Sequence, residues 1–474
     1  MKSRFKRSLA AALVLSMILS LAASPGLAAA AEGVEVYALS YGVTADDTLR
    51  ISFNAVNRSA SDAEPAFVLE LSSGVDGEII ETKTLRGQTV DAGGDSLFYT
   101  DFDGLYEADE PVARLYTQGE YDDPEGNPVP LDTLDIGVWR DYVSATTVST
   151  ANHATTQFNA EQYTFRTYVK PVQDYGEQAW RFFFSNNLDF LGGVDPGTPF
   201  RITEAFLADG GADADGSVVA GSSVRVTYDG ENARDVAAGE RFWSDEAVLD
   251  LPEDHWLCFT WTIQPLAPYT MDNANIPIAS ESYAKSYAIA INDDIDGYAS
   301  QETSVGFTVV YDENPGWGIM PNLFGVRKPG ARRLSFLGDS ITQGVGTPKG
   351  GDENYWVAKV ARGLAEDPAT QDIAVYNAAL SGSRGFEAAY DGAWLARLKQ
   401  EDEITLVHGV NDLGWYGRPA ADVIESITKM VRSVRRANPS AAITLFTVPA
   451  FSFSEEAQDD WREVNQWKIG RAHV

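Results

Sequence analysis

Through the first two-thirds of the chain, apolar residues alternate with polar ones. From Glu32 to about Val143 the alternating segments are short and are split by Gly, Asp and Asn turns. Thr48–Phe53, Phe67–Leu71 and Ala113–Tyr116 are examples. Side chains two apart share a face of a strand, so this period predicts half-buried strands. Their number and spacing predict an antiparallel sandwich of immunoglobulin-like type over residues 32–143. Residues 144–328 repeat the grammar in Tyr163–Val169, Trp180–Phe184, Ser223–Thr227 and Val305–Val310, with no helical period. A jelly-roll-like sandwich is expected there.

After Pro329-Gly330 the pattern changes. Leu334–Leu337, Ile373–Tyr376, Ile404–Val407 and Ile443–Val448 read as buried strands. Between them, Tyr355–Leu364 and Ala420–Asn438 carry apolar residues at helical spacing, and Glu455–Trp467 reads as a further helix. Pro419 opens the second helix and Pro439 closes it. Strands alternating with helices predict a parallel sheet covered on both faces, a three-layer α/β domain over residues 329–467. The expected fold class is therefore multidomain: two N-terminal all-β sandwiches followed by an α/β domain. Ligands of such sheets bind beyond the carboxyl ends of the strands, where Ser340, Gly382, Asn411 and Pro449 fall.

Composition sharpens this picture at four points. Lys2, Arg4, Lys6 and Arg7 precede an apolar run, Leu9–Leu21, and a small-residue stretch ending near Ala31, so residues 1–31 read as a secretory signal peptide. The formal charge is −33, and removing those four positives leaves −37. A surface of that sign repels nucleic acid and anionic lipid, and stable membrane insertion after signal cleavage is not expected. The single cysteine, Cys258, lies in an apolar run, so no internal disulfide is available and a buried small side chain is expected. The acidic loops Asp209–Gly216 and Asn292–Gly297 lack calcium-loop spacing, and His153 and His255 stand alone. No metal or cofactor is called for, and the oligomeric state is not legible.

Ser340 follows the first strand of the α/β domain in Gly338-Asp339-Ser340-Ile341. Gly382 closes Asn377–Gly382 after the second strand, and Asn411 sits in Gly409-Val410-Asn411-Asp412 after the third. A serine hydroxyl needs a base to take its proton and donors to hold the oxyanion. Two backbone N–H groups and one side-chain amide, each at a strand end, supply the donors in outline. Thr342 stands where a Gly-x-Ser-x-Gly elbow would carry its second glycine, so the sequence is not of that type.

Taken in order, the three motifs resemble the SGNH (GDSL-type) hydrolase family, with Ile341 in place of the usual Leu. Arg181–Asn187, Phe200–Thr203 and Ser244–Val248 resemble the β-rich domain that precedes the catalytic one in secreted members. The resemblance implies that Ser340 is the nucleophile and that Ser340 N–H, Gly382 N–H and the Asn411 amide form the oxyanion hole. It also implies a base and its orienting acid in an Asp-x-x-His motif near the carboxyl end, and no such motif is present. His408, at a strand end, is expected to pack rather than to serve as a substitute base. His473 has Gly470 three residues before it.

The expectation is a chain cut short near Trp467, with residues 468–474 a non-native tail and the 474-residue polypeptide inactive. The full-length protein is expected to be a secreted serine ester hydrolase acting on acetylated carbohydrate. Trp394, Trp415 and Tyr416 are candidates for the cleft lining. A lipase or lysophospholipase, and a non-catalytic carbohydrate-binding or adhesion protein with a degenerate hydrolase domain, remain as alternatives.

Overall fold

The computed structural model describes residues 29–31, 33–74, 77–104, 110–123, 126–153, 161–188, 195–266, 274–275, 284–291, 298–309, 319–347, 355–391, 393–399 and 401–470. Most of the expected signal peptide and the loop Asn292–Gly297 lie outside the described residues.

Residues up to about Asp141 form two four-stranded sheets. One contains Ala29–Ala31, Val34–Val43, Leu49–Asn57 and Asp95–Phe102; the other contains Ile79–Leu85, Phe67–Ser73, Pro111–Thr117 and Asp132–Asp135. The alternation becomes burial on one face of each. Phe53 stacks on Phe98 at 5.4 Å, and Phe67 from the other sheet meets both edge-on at 4.9 and 5.2 Å. Two short helices, Gln118–Tyr121 and Ile136–Asp141, were not expected. At four and six residues they show no period, but Thr117 and Asp135 cap them with side-chain oxygens.

A seven-stranded and a five-stranded antiparallel sheet follow, and both contribute to one core. The strand Gly176–Ser185 shows how. Trp180, Phe182 and Phe184 enter that core, whereas Phe183 meets Trp139 at 4.8 Å and Trp243 at 5.3 Å, against the first unit. Cys258 is fully buried. The expected boundary at 143/144 falls inside a strand, Tyr142–Ser144, which pairs with Leu323–Arg327. Of Val305–Val309 the residues Thr308–Val309 are strand, because Ser304 to Phe307 closes a turn on Gly306 at φ 85°; Val310 lies outside the described residues. The Asp209 carboxylate at the head of the first acidic loop accepts from Gly211 N–H and lies 2.8 Å from His255 Nδ1.

The last part is the α/β domain. In chain order it holds β1 (Arg332–Gly338), α1 (Ser340–Gln343), α2 (Trp356–Glu366), β2 (Ile373–Asn377), α3 (Gly385–Asp391), β3 (Glu403–Val407), α4 (Val410–Gly414), α5 (Ala420–Ala437), β4 (Ala442–Leu445) and α6 (Glu455–Gly470). The sheet is parallel in the order β2-β1-β3-β4. Of the apolar stripe Val423, Ile424, Ile427, Val431 and Val434, helix α5 buries Val423, Ile427 and Val434, leaves Ile424 and Val431 partly buried, and buries Met430 as well. Helix α6 runs past Trp467 and buries Lys468, so no structural break marks the expected end of native sequence.

Both β-rich parts dock on this domain. Ser149 Oγ donates to Ala379 O at 2.6 Å, and Asn377 Nδ2 donates to Thr147 O at 3.0 Å. From the first unit, the carbonyl of Leu39 accepts from Lys399 Nζ at 2.6 Å, and Asp95 pairs with Lys429 at 2.8 Å.

Candidate active site

Parallel register sets the site. Phe336 lies opposite Asn377 and Gly338 opposite Val407, so β1, β2 and β3 end at one level and their loops emerge side by side.

At the end of β1, a Cβ on Gly338 would lie 2.3 Å from Thr342 Oγ1, so the first turn of α1 can fold back onto the strand only over glycine. Asp339 caps that turn by accepting from Ile341 N–H at 3.0 Å. Its carboxyl group is buried, and burial pushes its pKa up to about 7. Ser340 opens α1 and is half-buried. Neither its hydroxyl nor its backbone N–H has a hydrogen-bond partner among the described residues.

The second loop turns at Gly382, whose φ of 80° is the left-handed conformation that favours glycine. Ser381 N–H donates to Gln343 Oε1 at 2.8 Å, tying this loop to α1. The Gly382 N–H likewise has no acceptor among the described residues.

The third loop winds into α4. Asn411 is buried, and its Nδ2 donates to Ser383 O at 2.8 Å, leaving one amide hydrogen for another acceptor. Asp412 accepts from Gly385 N–H at 2.9 Å and Phe386 N–H at 3.1 Å. Burial raises the Asp412 pKa against those two bonds.

Ser340, Gly382 and Asn411 thus sit on three loops bound to one another through Gln343, Ser383 and Asp412. Sequence reasoning missed these binding residues. Asp412 was signalled by its place in the motif, whereas Gln343 and Ser383 carried no signal.

His408 is buried, and its Nε2 lies 3.2 Å from Ser383 Oγ, so it packs beneath the loops as expected. Burial, and then the positive charges of Arg397 and Lys468, push its pKa down to about 3. His473 lies outside the described residues.

Of the aromatic candidates, Trp394 is corrected: it is 4% exposed and its indole N–H donates to Ala388 O, so it is packing. Trp415 and Tyr416 are 61% and 50% exposed, directly after α4. The Arg384 guanidinium lies 4.2 Å from the Tyr416 ring centroid, and Arg418 lies 4.3 Å from that of Phe386. Among the described residues, no three His, Cys, Asp or Glu side chains converge as metal ligands.

Residues 336–472 match the model of the GDSL-like lipase/acylhydrolase family. No curated protein matches the chain. Among solved structures, it is similar to a family two carbohydrate esterase from Clostridium thermocellum in complex with cellohexaose, at 13% identity over 70% of this chain and 85% of that one, TM-score 0.27. It is also similar to a family two carbohydrate esterase from Cellvibrio japonicus (13%, 68% and 86%, TM-score 0.24). A third is the lipase/acylhydrolase from Enterococcus faecalis (19%, 30% and 73%, TM-score 0.22). Three strand-end motifs in order on a parallel sheet and the family match agree: residues 336–472 are a GDSL-like lipase/acylhydrolase domain.

Proposed function

We propose that this is a secreted ester hydrolase that removes acetyl groups from carbohydrate. Ser340 Oγ forms a bond to the acyl carbon, and the oxyanion is held by Ser340 N–H, Gly382 N–H and the free amide hydrogen of Asn411. The carbon–oxygen bond to the sugar then breaks, and water releases the acetate. The observation that carries this reading is the hydroxyl of half-buried Ser340 and two backbone N–H groups at adjoining strand ends, all without hydrogen-bond partners among the described residues. Each oxyanion donor is worth about 3 kcal/mol of barrier by comparison with other hydrolases.

A carbohydrate is favoured over lipid by the formal charge of −33 and by Trp415 and Tyr416, exposed beside the third loop, which offer flat faces to a sugar ring. No helix among the described residues is long and apolar enough to cross a membrane.

The 474 residues contain no Asp-x-x-His, and His408 is engaged elsewhere. Without a histidine base at Ser340, proton removal is left to solvent, which slows acylation and slows deacylation too. The chain should turn over p-nitrophenyl acetate weakly at most and accumulate an acetyl group on Ser340. Peptide mapping after such incubation should find acetyl at Ser340, and none on that peptide in Ser340→Ala. Acetylated xylan should lose acetate slowly and phospholipid should release no fatty acid. Labelling that falls equally on other residues and ignores Ser340→Ala would overturn the nucleophile; fatty acid release would move the substrate to lipid.

A further inference from the structure

Among the buried titratable side chains that the mechanism leaves unused, His408 lies nearest the three loops by its contacts. His408 directly follows β3, and its contact with Ser383 reaches across to the second loop. Ser383 Oγ also lies 3.0 Å from Gly338 O, to which it donates. A hydroxyl has one hydrogen and a carbonyl only accepts, so both contacts are made together only if the imidazole is the donor. That fixes the proton on Nε2. The other nitrogen, Nδ1, is buried with no partner among the described residues, which is less costly for an acceptor than for an N–H.

Ser383 is the point at which the three loops join. Its hydroxyl holds Gly338, two residues before Ser340; its carbonyl accepts from Asn411 Nδ2; its neighbour is Gly382. We propose that His408 is a positioning residue: a permanently neutral Nε2–H donor that locks Ser383, and through Ser383 sets the spacing between Ser340, Gly382 and Asn411. It is not the proton acceptor of the reaction. The groups facing it agree, since Arg397 and Lys468 are both cations and disfavour a charged ring. The tautomer stands apart from the proposed hydrolysis; the positioning role rests on that reading.

The test uses the whole chain with its histidines labelled in ¹⁵N, and His408→Gln to assign the signal. Between about pH 5 and 9, where an ordinary imidazole titrates, the long-range ¹H–¹⁵N spectrum should show His408 neutral throughout, protonated on Nε2. Ser383→Ala should shift that resonance and Ser383→Thr should restore it. A ring that becomes charged in this range, carries its proton on Nδ1 or ignores Ser383→Ala overturns the proposal. The second readout is the rate at which a small aryl phosphonofluoridate labels Ser340. It should fall about tenfold or more in Ser383→Ala, since small displacements of a reacting group are costly, and recover in Ser383→Thr. Undiminished labelling in Ser383→Ala overturns the positioning role.

Discussion

The two ends of strand β1 carry buried polar clusters that do opposite things. At the amino end, Arg333 is 8% exposed and its Nη2 donates to Arg140 O at 2.8 Å, with Trp139 O and Tyr142 O also within reach. Buried Glu401 borders, with Arg333, Trp139 and Tyr142, a cavity of about 20 Å³, room for about one water. All three parts of the chain contribute to this lining. At the carboxyl end, Asp339 caps α1, yet the Ser340 hydroxyl and two N–H groups lack partners among the described residues. One end uses its polar groups to hold domains together; the other keeps them available. Donors without partners beside bonded neighbours are what a site looks like before substrate arrives.

The sharpest way to break this contrast is at the nucleophile. Ser340→Ala should abolish acetyl labelling at position 340 while changing stability by under about 0.5 kcal/mol, read from a urea melt. At the other end, Arg333→Ala should cost about 3–5 kcal/mol by the same measurement, because it leaves three buried carbonyls without their charged donor and removes the cation near Glu401. A cost below about 1 kcal/mol would mean that this cluster holds nothing. Gly338→Ala lies between the two, with an overlap at 2.3 Å that should cost about 1–3 kcal/mol and slow Ser340 labelling as well.

A smaller effect, common to both ends, is read by pH. Burial pushes Glu401 from its ordinary 4.5 up to about 7. The folded state therefore binds its proton more tightly than the unfolded chain does. The stability it contributes is full below 4.5 and is lost as pH rises to about 7. Asp339 moves the same way, from 3.8 to about 7. Urea midpoints between about pH 4.5 and 7.5 should fall with pH, and Glu401→Gln should flatten part of that slope. The smallest change should come from Trp415→Ala, with stability altered by under about 0.5 kcal/mol and retardation on acetylated xylan weakened.

Much of this was legible in the sequence. The four strands of the α/β domain and its three longer helices lie within two or three residues of their expected positions, because each is long enough to show its period. Helices α1 and α4, which present Ser340 and Asn411, were invisible because four or five residues show none. Trp394 was misplaced because its exposure depends on a short 3-10 turn, Ala393–Arg397, that no pattern announces. The Ser383–His408 contact spans 25 residues and exists only through the register of β1 with β3. Motif spelling finds which residues react; register decides which residues hold them.

The segment Ser144–Asn152 has a practical consequence. Thr150 N–H and Ser149 Oγ bond the carbonyls of Asn377 and Ala379, at the root of the loop that carries Gly382. Phe336 and Tyr355 are buried in the same cluster as Val143 and Ala145. The hydrolase domain is therefore not a portable module. Expressed from Pro329 onward it would meet water with bare carbonyls behind its second loop and an uncovered apolar flank, so anyone grafting this chemistry onto another scaffold must carry the β-structure along.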